Sequence, residues 1–350
     1  MIKAPDTLCI LRLSAIGDTC HVLAVVRAFQ AAWPSTRITW VIGKLESSLM
    51  QGVDGVEFIT YDKASGVAGL LALRKRLADR RFDVLCHMNA SVRANLVSLA
   101  IPADVRLGFD RDRARDWQWL VTNRRIEPAP RQHVLDGLFG FAEALGVERG
   151  NLRWDIPVSD DDTDFAHRVV PGLAPVLLIS PCSSDRRRNF RNWQAERYAA
   201  VADFAAEKAG ARVVLTGGPS ELERGYGEEI GRLCRLAEPV DLIGQTSLKQ
   251  LFALIQRATV VLCPDSGPAH MATAASTPVV GLYATSNRWR TGPYLSQEHV
   301  ADRYPEAALA EFGKPLEELP WGKRVRNPDA MALIEVSDVT ERLAPILGSF

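Results

Sequence analysis

The sequence predicts an α/β fold built from two Rossmann-like domains, and three observations carry this prediction. Short apolar runs alternate with longer amphipathic stretches, the pattern of parallel βαβ units whose sheets are covered by helices on both faces. The alternation stops in an acidic, proline-containing stretch at 154–175 and then restarts. The length of 350 residues suits two domains of ~150 residues each.

In the first half, five apolar runs predict buried strands with helices between them. The strands are predicted at 7–13, 37–43, 56–62, 82–88 and 103–109. The helices are predicted at 19–33, 66–81, 92–101 and, after a less regular stretch, 131–146. Because the runs are apolar throughout, they are typical of parallel strands buried on both faces.

The second half repeats the pattern after 154–175. Strands are predicted at 175–180, 211–217, 240–244, 259–265 and 278–284, and helices at 196–210, 220–235, 247–258 and 336–347, with a short helix between the last two strands. We therefore predict an N-terminal domain at 1–160 and a C-terminal domain at 161–330. The segment 331–350 carries the terminal helix.

Composition excludes several classes of protein. The 42 basic and 42 acidic residues cancel, which argues against a general nucleic-acid-binding protein. The apolar run near the N-terminus is too short for a secretion signal, and no stretch approaches the ~18 apolar residues that span a bilayer. The six cysteines contain no CxxC pair or metal-ligand spacing, so we expect buried thiols, a cytoplasmic protein and no metal or cofactor site.

The loop after the first predicted strand reads SAIGDTCH (14–21) and offers Gly17 for a tight turn and Asp18 at the start of the next helix. Asp18 fits a functional carboxylate and fits equally a helix cap that accepts backbone N–H groups. The loop is neither a GxGxxG fingerprint nor a P-loop, so dinucleotide binding and ATP hydrolysis lose their usual support.

Two loops of the second half have the composition of an anion site or a sugar site. The segment PCSSDRRRNFRNW (181–193) presents Ser183, Ser184 and a group of arginines that includes Arg191, and such a group suits a diphosphate. We expect one of these arginines to reach a ligand; the alternative is a solvated basic loop. In TGGPSELE (216–223), Glu221 either accepts a ribose hydroxyl or only favours the helix N-terminus electrostatically.

The most informative loop is CPDSGPAHMATA (263–274). Asp265 or Ser266 can cap the short helix, and Gly267 leaves room for a ligand. The helix N-terminus offers N–H groups and a positive dipole end to a phosphate, and His270 on its first turn can donate to the same anion. Because Asp265 would repel a diphosphate, we expect it to face backbone N–H groups or sugar hydroxyls.

The motifs SAIGD, RNW after PCSS, and PDSGPAH followed by PVVGLYATSNRWRTGPY resemble those of glycosyltransferase family 9, the bacterial ADP-heptose:lipopolysaccharide heptosyltransferases. The resemblance runs from about residue 7 to 295. It implies a GT-B fold with two Rossmann-like domains and parallel sheets facing a cleft. The stretch at 92–123 further resembles the enzymes that add the first heptose to Kdo.

The resemblance also implies the chemistry. It implies inverting, metal-independent transfer of heptose from ADP-heptose, bound on the C-terminal domain, to Kdo-lipid A or inner-core lipopolysaccharide, bound on the N-terminal domain. It implies no cofactor, and contact with the cytoplasmic membrane only from its inner surface. The helix at 336–347 would pack back on the first domain.

Carried over by residue, Asp18 matches the proposed catalytic base. The residues that match donor contacts are Ser183, Ser184, Arg191, Glu221, Thr246, Asp265, Ser266, Gly267 and His270. Arg191 departs from the family pattern, which has Lys there; the charge is kept but the geometry changes.

For the acceptor, whose Kdo carboxylate and lipid A phosphates are anionic, the sequence offers four arginines: Arg93, Arg111, Arg113 and Arg115. Trp117 and Trp119 nearby either rest at a membrane interface or pack in an ordinary charged loop. Three alternatives stay open: another nucleotide-sugar donor such as UDP-GlcNAc, addition of the second heptose, and a non-catalytic module that binds nucleotide-sugars.

Overall fold

The computed structural model describes residues 3–183 and 189–348. Its contacts divide the chain into two compact units, Met1–Pro157 and Val158–Phe350. The division lies inside the stretch at 154–175 and a few residues before the predicted domain end at 160. Each unit contains one six-stranded parallel sheet covered by helices.

The first unit has the strand order β3-β2-β1-β4-β5-β6. Its strands are β1 (Thr7–Arg12), β2 (Arg37–Gly43), β3 (Val56–Tyr61), β4 (Phe82–His87), β5 (Ala103–Gly108) and β6 (Arg124–Arg125). Its helices are α1 (Ile16–Ala32), α2 (Lys44–Met50), α3 (Gly66–Arg76), α4 (Val92–Ser98) and α5 (Val134–Ala144). This is the doubly wound Rossmann order, with its reversal between β1 and β4.

The second unit has the order β12-β11-β10-β7-β8-β9, which is the same winding. Its strands are β7 (Val176–Ile179), β8 (Arg212–Leu215), β9 (Val240–Asp241), β10 (Val260–Pro264), β11 (Val279–Tyr283) and β12 (Ala301–Asp302). Its helices are α6 (Asp160–Val169), α7 (Ala195–Ala209), α8 (Glu221–Leu233), α9 (Leu248–Arg257), α10 (Gly267–Ala274), α11 (Arg288–Thr291), α12 (Tyr304–Phe312) and α13 (Val336–Leu347). The reversal lies between β7 and β10.

The predicted strands at the centre of each sheet are present because their runs are apolar on both faces. All four residues of β7 and all five of β10 and β11 are buried. The helix at 247–258 is present as α9, where Ser247 caps the first turn and forms a capping box with Gln250. The predicted Rossmann-like halves are thus both observed.

The terminal helix α13 differs from the expectation that it packs on the first domain. Its apolar face, Val339, Leu343 and Leu347, is buried in the core of the second unit, mainly against α7. The pairs that hold it also belong to that unit, since Arg303 bonds Asp338 at 2.7 Å and Arg342 donates to the Val300 carbonyl at 2.9 Å. An i, i+4, i+8 apolar stripe requires only some apolar surface, and α7 supplies the nearest one.

The six cysteines are free thiols, and five are buried while Cys234 is half-buried. Burial raises the pKa of Cys263 to about 12, so this thiol stays protonated. Across 3–183 and 189–348, no helix has the length and apolar character needed to cross a membrane.

Candidate active site

The predicted site residues lie at the carboxyl edges of the two sheets. In doubly wound folds, ligands bind at this edge, where the strand order reverses. In the first unit the loops that follow β1 and β4 form the reversal point, and Asp18 lies there. In the second unit the loops that follow β7 and β10 form it, and they carry Ser183, Arg191, Asp265, Ser266, Gly267 and His270.

Asp18 lies in the first turn of α1 and is held in place by Arg12 at the end of β1. The two side chains form an ion pair, with 12% of Arg12 and 32% of Asp18 exposed. Asp18 Oδ2 also accepts a hydrogen bond from the Ala15 amide at 3.2 Å. Because a guanidinium fixes a carboxylate in direction as well as charge, Asp18 is oriented and partly open to solvent.

Arg12 also ties the two loops at the reversal point together. Its Nε donates to the Ser14 carbonyl at 2.6 Å and its Nη1 to the Met88 carbonyl at 2.5 Å. The side chain of Asn89 accepts from the Leu13 amide at 3.0 Å and so adds a second link. Sequence reasoning missed Arg12, although a charged residue inside the buried run TLCILRL was a signal for it.

In the second unit, Ser183 and Arg191 are organised by two asparagines of the same loop. The Ser183 hydroxyl donates to Asn189 Oδ1 at 2.8 Å, and its amide donates to Asn192 Oδ1 at 2.9 Å. Asn189 Oδ1 also accepts from the Arg191 amide at 3.2 Å. Ser184 and the arginines at 186–188 lie outside the described residues.

Trp193 anchors the end of the loop at 181–193 in the core of the second unit. This side chain is fully buried, donates from Nε1 to the Ile334 carbonyl at 3.0 Å and packs edge-on against Tyr198. Tyr198 in turn donates to the Pro181 carbonyl at 3.0 Å. The tryptophan of the RNW motif is therefore a structural anchor, and Arg191 is the residue that the anchor presents.

Arg191 reaches across the reversal point to Asp265. Its Nη1 donates to the Asp265 carbonyl at 2.6 Å and lies 3.6 Å from Oδ2 of the same residue. A second guanidinium, that of Arg324, lies 3.9 Å from Oδ2. Two positive charges thus meet at the ends of β7 and β10, as an anion site requires.

Arg324 is a further candidate site residue, one that the sequence did not reveal. It lies in a long irregular stretch, where Val325 is buried and its amide bonds the Thr285 carbonyl at 3.1 Å. This bond brings the stretch beside the end of β11. About half of the Arg324 side chain is exposed, so it can turn toward a ligand.

The start of α10 differs in detail from the expected cap. Neither Asp265 nor Ser266 caps the helix with its side chain, and the Ser266 hydroxyl instead donates to the Pro264 carbonyl at 3.1 Å. Asp265 is buried, and its Oδ2 accepts no hydrogen bond from the described residues. Gly267 begins the helix and His270 lies half-buried on the first turn. The positive end of α10 therefore lies beside Arg191.

Glu221 and Thr246 lie farther along the same edge, beyond β8 and β9. Glu221 is the exposed first residue of α8, whereas Glu223 shapes the loop by accepting from the Gly218 amide at 2.8 Å. Thr246 precedes the cap of α9. The loop that contains it is joined to the loop at 216–223, because the Gly244 amide donates to the Gly217 carbonyl at 3.0 Å. The two predicted residues are therefore on neighbouring loops.

The four candidate acceptor arginines divide into two kinds. Arg113 has a structural role, since it pairs with Asp110 and donates to the Glu127 carbonyl at 2.9 Å. Arg93, Arg111 and Arg115 are exposed. Only these three present their guanidinium groups to solvent.

His87 is a buried titratable group at the end of β4 that sequence reasoning did not single out. Its Nε2 lies 3.0 Å from Asn95 Oδ1, and its Nδ1 has no hydrogen-bond partner among the described residues. Burial lowers the pKa of His87 to about 3, so the ring is neutral at physiological pH. Within 3–183 and 189–348, no group of three His, Cys, Asp or Glu residues is placed to hold a metal ion.

Comparison with known proteins points to one family. The model of glycosyltransferase family 9 (heptosyltransferase) matches residues 70–321. The lipopolysaccharide core heptosyltransferase OpsX of Haemophilus influenzae is 43% identical over 348 residues, covering 99% of each chain. The lipopolysaccharide heptosyltransferase 3 of Escherichia coli K12 is 24% identical, covering 94% of this chain and 95% of its own.

Solved structures agree on the fold. A family 9 glycosyltransferase from Veillonella parvula superposes with a TM-score of 0.79 at 20% identity, covering 99% of this chain and 98% of its own. The E. coli heptosyltransferase WaaC, solved with ADP, superposes with a TM-score of 0.74 at 17% identity, covering 97% and 99%. The predicted GT-B fold is thereby confirmed.

Proposed function

The chain belongs to glycosyltransferase family 9, the heptosyltransferases, and from this premise we propose that it transfers heptose from ADP-heptose to the Kdo of the lipopolysaccharide inner core. The reaction is inverting and uses no metal ion. The observation that carries the proposal is the meeting of Arg191, Arg324 and the start of α10 at the reversal point of the second sheet.

The donor lies along the carboxyl edge of the second sheet. The diphosphate takes the reversal point, where Arg191, Ser183, His270 and the positive end of α10 supply donors. Three strand spacings separate β10 from β9, about 14 Å at the usual spacing between strands. An elongated nucleotide therefore places its ribose near Glu221 and its base near Thr246.

Asp265 takes the sugar end of the donor. Its buried Oδ2 has no hydrogen bond from the described residues, while the two neighbouring guanidinium groups balance its charge. A sugar hydroxyl can donate to this oxygen without forcing the carboxylate toward the diphosphate. The expectation that Asp265 faces hydroxyls and avoids phosphate follows from this arrangement.

Asp18 acts as the general base. The acceptor hydroxyl oxygen bonds to the anomeric carbon, the bond from that carbon to the diphosphate oxygen breaks, and the hydroxyl proton passes to Asp18. ADP leaves with its developing charge stabilised by Arg191, His270 and the α10 dipole. Attack opposite the leaving group inverts the anomeric configuration.

The acceptor carries a Kdo carboxylate and lipid A phosphates, and Arg93, Arg111 and Arg115 supply matching charge on the first unit. Because lipid A is membrane-anchored, the enzyme works in the cytoplasm at the inner surface of the membrane. It binds there peripherally.

A thermal-shift comparison of ADP-heptose, ADP and UDP in EDTA tests the donor. Stabilisation by the adenine ligands is expected, about 2.7 kcal/mol at 100 times the dissociation constant. Stabilisation by UDP alone would replace the donor with a uridine nucleotide-sugar. Binding without transfer to either a Kdo or a heptosyl-Kdo acceptor would indicate a non-catalytic module, and transfer only to the latter would indicate the second heptose.

A further inference from the structure

One face of the first unit exposes rows of apolar side chains. Helices α3 and α4 cover the same side of the first sheet, since their inward residues join one core cluster with it. On the outward side, α3 presents Val67 and Leu71, and the α4 region presents Val92, Leu96 and Leu99. All five are at least 48% exposed. Core packing therefore does not explain these residues.

The segment 116–120 adds two tryptophans and a leucine beside α4. Trp117, Trp119 and Leu120 are exposed by 65%, 48% and 65%. The segment is fastened to α4, because Asn95 Nδ2 donates to the Asp116 carbonyl at 2.5 Å. We call the outward residues of α3 and α4, together with 116–120, the α3/α4 surface.

The exposure of the two tryptophans is fixed by the fold. Between them, Gln118 is fully buried, donates to the His87 carbonyl at 2.7 Å and accepts from the Phe109 amide at 3.1 Å. Asp116 and Trp117 have φ of +54° and +62°, which side chains other than glycine rarely adopt. Conformations of this kind persist only where the surrounding structure holds them, and they are frequent at functional sites.

The α3/α4 surface also carries net positive charge, since Asp116 is its single acidic residue. Neither α3 nor α4 contains an acidic residue, and α3 ends in Arg74, Lys75 and Arg76, which are all exposed. Within the described part of the chain these three side chains form no ion pair. The chain as a whole is neutral, with 42 basic and 42 acidic residues, so this surface carries a local excess of positive charge.

We propose that the α3/α4 surface docks on a bilayer that contains anionic lipids. Exposed tryptophan and leucine on a surface that also exposes basic residues are the composition that binds at the headgroup level, where the apolar groups insert and the basic groups attract phosphates. An apolar protein partner would explain the exposed tryptophans and leucines and would leave the basic run Arg74–Arg76 unexplained. The proposal rests on the proposed function in one respect, that the acceptor is lipid-anchored.

The surface lies next to the edge that carries Asp18. Helices α3 and α4 both begin at the carboxyl edge of the first sheet, since each follows a parallel strand of that sheet. If α3 and α4 dock through their outward sides, the carboxyl edge of the first sheet lies beside the bilayer. A sugar on a lipid headgroup is then presented to the edge without leaving the membrane.

Vesicle sedimentation of the full chain tests the proposal. Wild type should bind vesicles of phosphatidylglycerol and phosphatidylethanolamine at least about tenfold more tightly than phosphatidylcholine vesicles. The variants W117S/W119S/L120S and R74Q/K75Q/R76Q should each weaken binding to the anionic vesicles by about tenfold or more. The control L236S/L309S replaces two equally exposed leucines of the second unit and should not change binding.

Two further measurements distinguish lost membrane contact from misfolding. Brominated lipids should quench tryptophan emission of wild type and not of the tryptophan variant, and all variants should transfer heptose to a soluble, deacylated acceptor at the wild-type rate. Unchanged vesicle binding in both surface variants would overturn the proposal, as would a tryptophan variant that loses only self-association. Vesicle binding without any heptose transfer would refute the proposed function and leave the docking surface standing.

Discussion

Two guanidinium groups of unequal exposure lie beside Asp265, and we expect them to contribute unequally to ligand binding. Arg191 is 17% exposed and bonds the Asp265 backbone, whereas Arg324 is 48% exposed and lies farther from the carboxylate. The less exposed residue is preorganised, so its loss removes more binding. The arrangement also gives a physical reason for Arg at this position, because Nη1 reaches the Asp265 carbonyl while Nε donates to Asn189 Oδ1 at 3.3 Å, and one ammonium nitrogen does not span both.

Replacing Arg191 by Gln should weaken ADP binding by about 10- to 100-fold, since preorganised charged hydrogen bonds contribute ~1.5–3 kcal/mol. Replacing the more exposed Arg324 by Gln should weaken ADP binding by about tenfold or less. Isothermal titration calorimetry measures both. The control is R232Q on the exposed side of α8, which should bind ADP as wild type does. A larger effect at Arg324 than at Arg191 would contradict the ordering.

His87 makes stability depend on pH. Its pKa is about 3 in the folded state and ~6.5 unfolded, so between these values the unfolded chain binds a proton that the native chain does not. Stability should therefore be unaffected above pH 6.5 and fall as pH falls below it, by about 2 kcal/mol at pH 5. Urea unfolding at pH 7 and pH 5 measures this loss, and H87Q should show a smaller one.

The comparison includes its own control. His167 is exposed on α6, so H167Q should keep the wild-type loss between pH 7 and pH 5. If H87Q lost as much stability as wild type over this range, the neutral buried ring would not be the source of the pH dependence.

At the scale of elements, α13 joins the end of the chain to the second core. Leu343 is fully buried there, and L343A should destabilise the protein by about 2–5 kcal/mol through lost burial and a cavity. L333A, at a leucine 42% exposed just before the helix, should change stability by no more than about 0.5 kcal/mol. Calorimetric unfolding compares them, and equal losses would show that α13 does not stabilise the unit.

Strands were predictable because a parallel strand buried on both faces is a continuous apolar run, as in β2 and β10. The helices that were missed give weaker signals. α6 lies inside the acidic stretch predicted to be the domain boundary, and its signals are the cap at Ser159 and three acidic residues in its first turn. α12 could have been found from Pro305 in its first turn and from Tyr304, Ala307 and Ala308 on one side.

The site was predictable where it follows a predicted strand. The positions of Asp18, Arg191 and Asp265 at the carboxyl edges of the two sheets were predictable because parallel strands bring the loops that follow them to one edge of each sheet. Arg324 was not, because it enters the site from a loop whose position depends on tertiary contacts such as the Val325 amide on Thr285. The expected cap at Asp265 failed because two nearby guanidinium groups compete for that carboxylate.

At the scale of the whole molecule, the two units repeat one winding but carry different chemistry at the same edge. The first unit holds a carboxylate oriented by an arginine at its reversal point, and the second holds arginines and a helix N-terminus. These features match the base and the anion site of the inverting transfer that we propose. The basic, apolar α3/α4 surface on the first unit adds a place for the membrane.

The most direct test of this account is the turnover of ADP-heptose with a soluble Kdo acceptor in EDTA, by wild type and by D18N. We predict that wild type transfers heptose with inverted configuration, while D18N binds ADP-heptose normally and loses about 10²–10⁴ in kcat, the usual contribution of a general base. Wild-type kcat in D18N, or transfer that stops in EDTA, would contradict the assignment of Asp18 as the base in a metal-independent reaction.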